Sequence, residues 1–146
     1  MENLKIGHFL MNFMGFYILI IGILWIFVTE IMFVSDFLWY TGESYPSYLA
    51  SNPIYAEIYI ITKKLIGFVL LANGILVLFI NNKSYKNGEK WSWFALLLSG
   101  GLTWGTFIGY KIFIGYYGGS MITFVIGAGL LVAGLAFPSK EILGKK

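Results

Sequence analysis

Cysteine and arginine are both missing from this chain of 146 residues, and histidine occurs only once, as His8. The missing cysteines exclude disulfides, thiol nucleophiles, thiolate metal sites and redox chemistry based on paired cysteines. A single histidine excludes a haem or metal site built from several histidines of one chain. No catalytic motif, metal-ligand spacing or phosphate-binding glycine loop is present. We therefore predict no metal site, no cofactor and no catalytic residue, and lean against an enzyme.

Charge is also scarce, since 12% of the residues are charged and 58% are hydrophobic. Most of the apolar residues fall in four stretches, at about 9–34, 55–80, 91–113 and 121–137. A helix needs about 20 mainly apolar residues to cross a bilayer core of roughly 30 Å. The four stretches therefore predict an all-α membrane protein, a four-transmembrane-helix bundle that forms one integral membrane domain over residues 1–146.

The ten lysines are unevenly distributed between the two ends of such a bundle. If the four helices alternate in direction, seven of them fall at one end: Lys5, Lys83, Lys86, Lys90, Lys140, Lys145 and Lys146. The positive-inside rule makes that end cytoplasmic and places both termini there. We expect a prokaryotic cytoplasmic (inner) membrane protein, surrounded by membrane lipids. Its net charge of +3 indicates the orientation of the protein in the membrane rather than binding to nucleic acid.

The segment at 35–54, between the first and second apolar stretches, is unusually aromatic for a linker. It contains two prolines, and its aromatic side chains include Trp39, Tyr40, Tyr45 and Tyr48. Proline breaks helices, and amphipathic rings favour the membrane interface. We predict a long aromatic outer loop that lies over the mouth of the bundle.

Glycines recur at helical spacing in the second and third stretches. Gly67 and Gly74 mark one face of the second helix, while Gly101, Gly105 and Gly109 form a repeated GxxxG face on the third. Such faces let helix backbones approach closely inside a membrane. They are predicted to pack helices within the chain, and a homodimer interface is the alternative interpretation.

Several charged and polar residues fall within the apolar stretches, where they are costly. Glu30, Lys63, Lys64 and Lys111 all reach the outer third of the predicted bundle, and Asn73 lies deeper. Two tyrosines, Tyr59 and Tyr110, accompany them. We treat these seven residues as candidate ligand-binding residues.

An ion pair from Glu30 to Lys63 or Lys64 is the expected core of this cluster. In the competing structural interpretation, the lysines extend to the membrane surface and the Glu–Lys pair only fastens two helices. For Asn73 the structural interpretation is a hydrogen bond between helices.

Two sequence patterns resemble the DoxX-like group of small membrane proteins. The first is a basic pair followed by glycines, Lys63-Lys64-Leu65-Ile66-Gly67 and Gly74. The second is the run Lys86-Asn87-Gly88-Glu89-Lys90-Trp91-Ser92-Trp93. The resemblance covers about half of the chain and implies a four-helix topology. It also implies an accessory role, since some members look like subunits of membrane oxidoreductases that work with quinones.

Two functions therefore compete. The first is an accessory or ligand-binding subunit of a larger membrane complex, with a lipid or a quinone as its ligand. The second is a small transporter or channel protomer with a charged site in the outer leaflet, for which a homo-oligomer is the expected assembly. Against the second, four helices leave little room for a pore, and no internal repeat of the transporter type is visible.

Overall fold

The computed structural model describes residues 2–144, and all the regular secondary structure in that range is helical. Lys145 and Lys146, which were counted among the inner lysines, lie outside the described residues. The α-helices are α1 (Glu2–Phe27), α2 (Thr29–Thr41), α3 (Tyr45–Ser51), α4 (Pro53–Lys83), α5 (Lys90–Ile114), α6 (Gly119–Ala136) and α7 (Ser139–Leu143), with a 3₁₀ turn at Tyr85–Asn87.

The predicted first helix at 9–34 is wrong at both ends, because α1 begins at Glu2 and stops at Phe27. At Val28 the backbone leaves the helical region, with φ −123° and ψ 39°. The hydroxyl of Thr29 donates to the carbonyl oxygen of Trp25, at 2.7 Å. A threonine that bonds back to the preceding turn competes with the helical ladder and bends the chain. The chain therefore re-enters a helix, α2, in a new direction.

The predicted aromatic loop at 35–54 is mostly helical instead. Gly42 ends α2 with a φ of 73°, a left-handed conformation that glycine adopts without strain. Ser44 then caps α3 by accepting a hydrogen bond from the Ser47 N–H at 3.3 Å, and Pro46 lies in the first turn. The prolines that predicted a loop thus mark helix starts, since Pro53 opens α4 in the same way.

An aromatic cluster fastens α2 and α3 onto the first turns of α4. Its members are Phe33, Phe37, Tyr45, Tyr48 and Tyr59, whose ring centroids lie 4.9–6.3 Å apart, mostly edge to face. Such pairs are favourable beyond the area they bury. The Tyr45 hydroxyl also donates to the Ala56 carbonyl oxygen at 3.1 Å. Burial, and to a smaller extent the charge of Glu30, raises the pKa of Tyr45 and keeps this donor protonated.

The long helices pack in a ring in which α1 contacts α4 and α6, and α5 contacts α6 and, less closely, α4. The closest approach joins α1 to α4, where Gly22 and Gly67 face each other. A Cβ atom built at Gly67 would lie 2.9 Å from the Gly22 carbonyl oxygen, so neither position has room for a side chain. Gly74 is similarly closed in by Leu19. The prediction that Gly67 and Gly74 are packing positions agrees with this geometry.

The glycine face predicted for α5 is packed differently from our expectation. A Cβ atom at Gly101, Gly105 or Gly109 would meet nothing within 4 Å. The face of α5 that contacts α6 carries Trp104 instead, which lies against Gly127. These three glycines therefore do not pack helices within the described chain, because the large Trp104 ring, and not the small residues, turns toward α6.

At the opposite end of the ring, hydrogen bonds around His8 join the helices. Its Nδ1 lies 3.2 Å from Asn81 Oδ1, and its Nε2 lies 3.2 Å from Asn12 Nδ2. Asn81 Nδ2 also donates to the His8 carbonyl oxygen at 2.9 Å. Nearby, the buried Tyr85 hydroxyl donates to the Gly134 carbonyl oxygen at 2.6 Å. His8 thus joins α1 to α4.

Within residues 2–144, three helical segments are long and apolar enough to cross a membrane: Glu2–Phe27, Pro53–Asn87 and Gly119–Ala136. Helix α5 has 25 residues but is more polar, since it carries Ser99, Thr103, Thr106 and Lys111. The chain is therefore an all-helical protein with the character of a membrane protein.

Enclosed glycines such as Gly67 and open glycines such as Gly105 predict opposite effects on stability when alanine replaces them. Gly67→Ala should lower the stability by roughly 1–3 kcal/mol, because the new atom overlaps the α1 backbone. Gly105→Ala should be neutral or stabilising, because alanine favours a helix over glycine by about 0.8–1.0 kcal/mol. Thermal unfolding of both variants in one detergent measures the difference. Equal loss of stability in the two variants would contradict the packing described here.

Candidate functional site

Charged and hydroxyl groups from four helices meet at the end of the ring where α2 lies, hereafter the α2 end. They are Asp36 of α2, Lys63 of α4, Lys111 of α5 and Ser120 of α6. The location follows from chain direction, because α4 and α6 begin at this end and α5 finishes there. Residues far apart in sequence are thereby brought into one polar cluster within largely apolar surroundings.

A buried ion pair between Asp36 and Lys111 forms the centre of the cluster. Lys111 is fully buried and Asp36 is 4% exposed. The ammonium of Lys111 also donates to Ser120 Oγ at 2.5 Å, and Ser120 Oγ donates to Asp36 Oδ1 at 3.3 Å. Both charges thus have partners of opposite polarity, which is the condition for retaining an ion pair away from water.

Lys63 lies beside this pair but takes no part in it. Its ammonium lies over three aromatic rings, 4.9 Å from the centroid of Tyr59, 5.1 Å from Tyr110 and 5.6 Å from Trp25. Aromatic faces attract cations through the negative potential of the ring. Among residues 2–144, no hydrogen bond or salt bridge engages this ammonium. The half-buried Lys63 is therefore held in an aromatic cage, and among the described residues no acid forms a salt bridge with it.

Two cavities adjoin the Lys63 ammonium. The inner one, of about 160 Å³, lies between Trp25, Ile66, Phe107 and Phe124. The outer one, of about 380 Å³, extends past Tyr40, Tyr59 and Phe113 toward the surface. Asp36, Lys63 and Tyr110 border both cavities. Lys63 and its neighbours therefore stand between the interior of the bundle and its α2 end.

A larger groove of about 780 Å³ separates α4 from α5. Most of its walls are apolar, and Ile66, Thr106 and Phe107 border both this groove and the inner cavity. Asn73 is one of its polar groups, and it donates to Thr103 Oγ1 at 2.7 Å and accepts from Ser99 Oγ at 2.6 Å. These bonds satisfy Asn73 between two helices, in agreement with its structural interpretation.

The structure thus gathers four of the seven candidate residues, Lys63, Lys111, Tyr59 and Tyr110, and separates the other three. Glu30 and Lys64 are exposed and border a different, open pocket of about 300 Å³ at the break between α1 and α2. The expected ion pair of Glu30 with Lys63 or Lys64 is not found among the described residues. The reason is angular, because consecutive helical residues point about 100° apart, so Lys63 turns inward and Lys64 outward.

Asp36, Ser120 and Trp25 were missed by reasoning from the sequence. Asp36 was assigned to a loop, because the helix was expected to end near Val34. Its extension as α2 places Asp36 three residues after the buried Phe33, on the same face. That three-residue spacing could have identified Asp36 as a buried residue from the sequence. Ser120 and Trp25 gave no comparable signal, since their roles depend on how α6 and α1 pack.

No family model, no curated protein and no solved structure matches this chain. Within the described residues, no group of three or more histidine, cysteine, aspartate or glutamate side chains is arranged to hold a metal ion.

The buried ion pair predicts strong coupling between its two members. Asp36→Asn or Lys111→Met alone should each lower the stability by roughly 3–5 kcal/mol, because each leaves the partner's charge buried without compensation. The double variant should be more stable than the sum of the two losses predicts. A double-mutant cycle on thermal unfolding in detergent measures the interaction energy between the two residues. Glu30→Gln and Lys64→Met form the matched control, and their effects should be small and additive.

Proposed function

We propose that this protein is a multi-pass protein of the prokaryotic cytoplasmic membrane, in which α1, α4, α5 and α6 each cross the bilayer. Three of these helices are long and apolar enough to cross a membrane, judged by length and composition alone. Helix α5 supports a fourth crossing because its 25 residues span about 37 Å at 1.5 Å per residue. Its most polar groups are also turned toward the site and the α4–α5 groove. The lysine distribution favours cytoplasmic termini.

The orientation predicts which end of the protein an impermeant thiol reagent reaches. The chain contains no cysteine, so single cysteines introduced at the exposed positions Ser47 and Asn87 report on opposite ends. In intact cells, Ser47→Cys should be labelled from outside, while Asn87→Cys should react only after the membrane is permeabilised. The reverse pattern would show that the termini face outward. Labelling of both positions in permeabilised cells serves as the control.

We further propose that the protein binds an amphiphile, lipid-like or quinone-like, with its polar head beside Lys63 and its chain in the groove between α4 and α5. The observation that carries this proposal is that the two spaces are adjacent. The apolar groove and the inner cavity share Ile66, Thr106 and Phe107 as a common border. A ligand with one polar end and a long apolar end would place its polar end beside Lys63 and its apolar end in the groove.

The size and surface of the groove support such a ligand. Its volume of about 780 Å³ lies within the roughly 300–1,000 Å³ typical of ligand pockets, which are mainly apolar with a few polar groups. Its opening along the side of the bundle gives access from the lipid phase. The ligand would therefore enter laterally, without crossing an aqueous phase.

An accessory role in a larger membrane complex is part of the same proposal. The face with Gly101, Gly105 and Gly109 is free of contacts within the described chain, and small residues of this kind allow close helix packing in membranes. A second copy or another subunit would suit this face. The resemblance to DoxX-like proteins points the same way and stays a prediction, because no family model matches.

A small transporter or channel protomer is the second candidate. It is favoured by the position of Lys63 between an inner cavity and an outer cavity that opens toward the α2 end. Intramembrane charged residues often mark ion or substrate pathways. Against it, the buried Asp36–Lys111 pair and the aromatic rings fill the space between the helices, so one chain offers no open pore.

Obstructing the groove tests the binding proposal. Ala72 is exposed and borders the groove, whereas the nearby Ile75 is exposed outside it. Ala72→Trp should reduce the amount of amphiphile that copurifies with the protein at least several-fold, because the indole occupies the space of the chain. Ile75→Trp should leave that amount unchanged. Mass spectrometry of organic extracts from equal amounts of purified protein measures both. Equal lipid and quinone content in the two variants and the parent would contradict binding in the groove.

A further inference from the structure

The charges of the site do not balance. Three charged side chains face one another at the α2 end, the acid Asp36 and the two bases Lys63 and Lys111. Both oxygens of Asp36 are engaged, Oδ2 by Lys111 and Oδ1 by Ser120. Asp36 therefore compensates Lys111, and the positive charge of Lys63 is left in excess.

An uncompensated ammonium is costly in this environment. Transfer of an isolated charge from water into apolar surroundings is strongly unfavourable, and charged groups within membrane proteins are normally paired. The rings of Tyr59, Tyr110 and Trp25 stabilise the cation from the side. They supply no acceptor of full negative charge for its three N–H donors. An anionic group in the adjoining cavity would supply such an acceptor.

The buried side chain of Trp25 lines the same inner cavity. Trp25 is 5% exposed, and its indole Nε1 has no hydrogen-bond partner in the part of the chain that the structure describes. Buried polar groups without partners are rare in folded proteins and call for an explanation. A ligand with two acceptor oxygens would engage the ammonium of Lys63 with one and the indole N–H with the other.

The charge of Lys63 and the volume of the inner cavity limit the kinds of head group that the ligand can carry. One surplus lysine neutralises one negative charge, whereas a phosphate monoester carries about −1.5 to −2 at neutral pH. A phosphodiester also carries a single negative charge, but its two ester arms make it bulkier than a carboxylate. A volume of about 160 Å³ holds roughly five water-sized groups at about 30 Å³ each. A carboxylate is singly charged and small enough, and it has two acceptor oxygens. A neutral quinone would leave Lys63 without a counter-charge.

The path of the chain follows from the shape of the groove. Its lining on α4 extends from Thr62 to Leu76, a length of about 21 Å at 1.5 Å per residue. This length suits one long alkyl chain laid along the helix. We propose that the ligand of this site is a long-chain carboxylate, with its head between Lys63 and Trp25 and its chain in the α4–α5 groove. This inference rests on the proposed binding of an amphiphile.

Competition binding to the purified, delipidated full chain in detergent tests the head group. Radiolabelled palmitate is the probe, and unlabelled palmitate, methyl palmitate and a short-chain ubiquinone are the competitors. Palmitate should compete at least tenfold more strongly than its methyl ester or the quinone, because these two lack the charge. Lys63→Met should weaken palmitate binding at least tenfold. Lys64→Met, the matched control on the outward face, should leave it unchanged.

The outcomes separate the two proposals. If methyl palmitate or the quinone competes as well as palmitate, the carboxylate assignment is wrong while amphiphile binding stands. Equal palmitate binding in the parent and in Lys63→Met would also overturn the assignment. If none of the three compounds binds, and no amphiphile copurifies, the proposed function itself fails. Should Lys63→Met not fold, as judged by its thermal transition, the competition on the parent protein decides the question.

Discussion

The buried ion pair of Asp36 and Lys111 is the constraint on which the α2 end of the structure depends. The fully buried Lys111 needs a partner for its charge, and the partner is supplied by a helix that breaks away from α1. The break at Val28, the capped turn before α3 and the aromatic cluster all serve to hold α2 over the bundle. Ser120 completes the pair and ties the start of α6 to it.

This arrangement also explains why Lys63 is available for a ligand. Asp36 is the nearest acid in the site, and it is already engaged by Lys111. Lys63 is therefore a cation placed by packing and surrounded by rings, with cavities on two sides. Helix α4 packs closely on α1 through glycines, while α5 packs on α6 through Trp104. The groove between α4 and α5 is the consequence of these two separate preferences.

Much of the fold was predictable, and the errors have definite physical causes. Length and apolarity located the long helices, and the glycines of α4 were correctly taken as packing positions. The break at Val28 was missed because a side-chain hydrogen bond from Thr29, not a proline or glycine, causes it. Helices α2 and α3 were missed because Pro46 and Pro53 were taken as loop residues, although proline is equally suited to the first turn of a helix.

The sequence by itself determined the apolar helical class, the presence of costly charges near one end, and the residue types available for chemistry. Only the tertiary structure decided which charges meet. Glu30 and Asp36 lie six positions apart on one chain, yet one is exposed and the other is buried against a lysine of α5. That outcome depends on the angle at a helix break and on the rotation of each helix about its axis. Both are set by contacts between distant segments, which no local pattern of residues encodes.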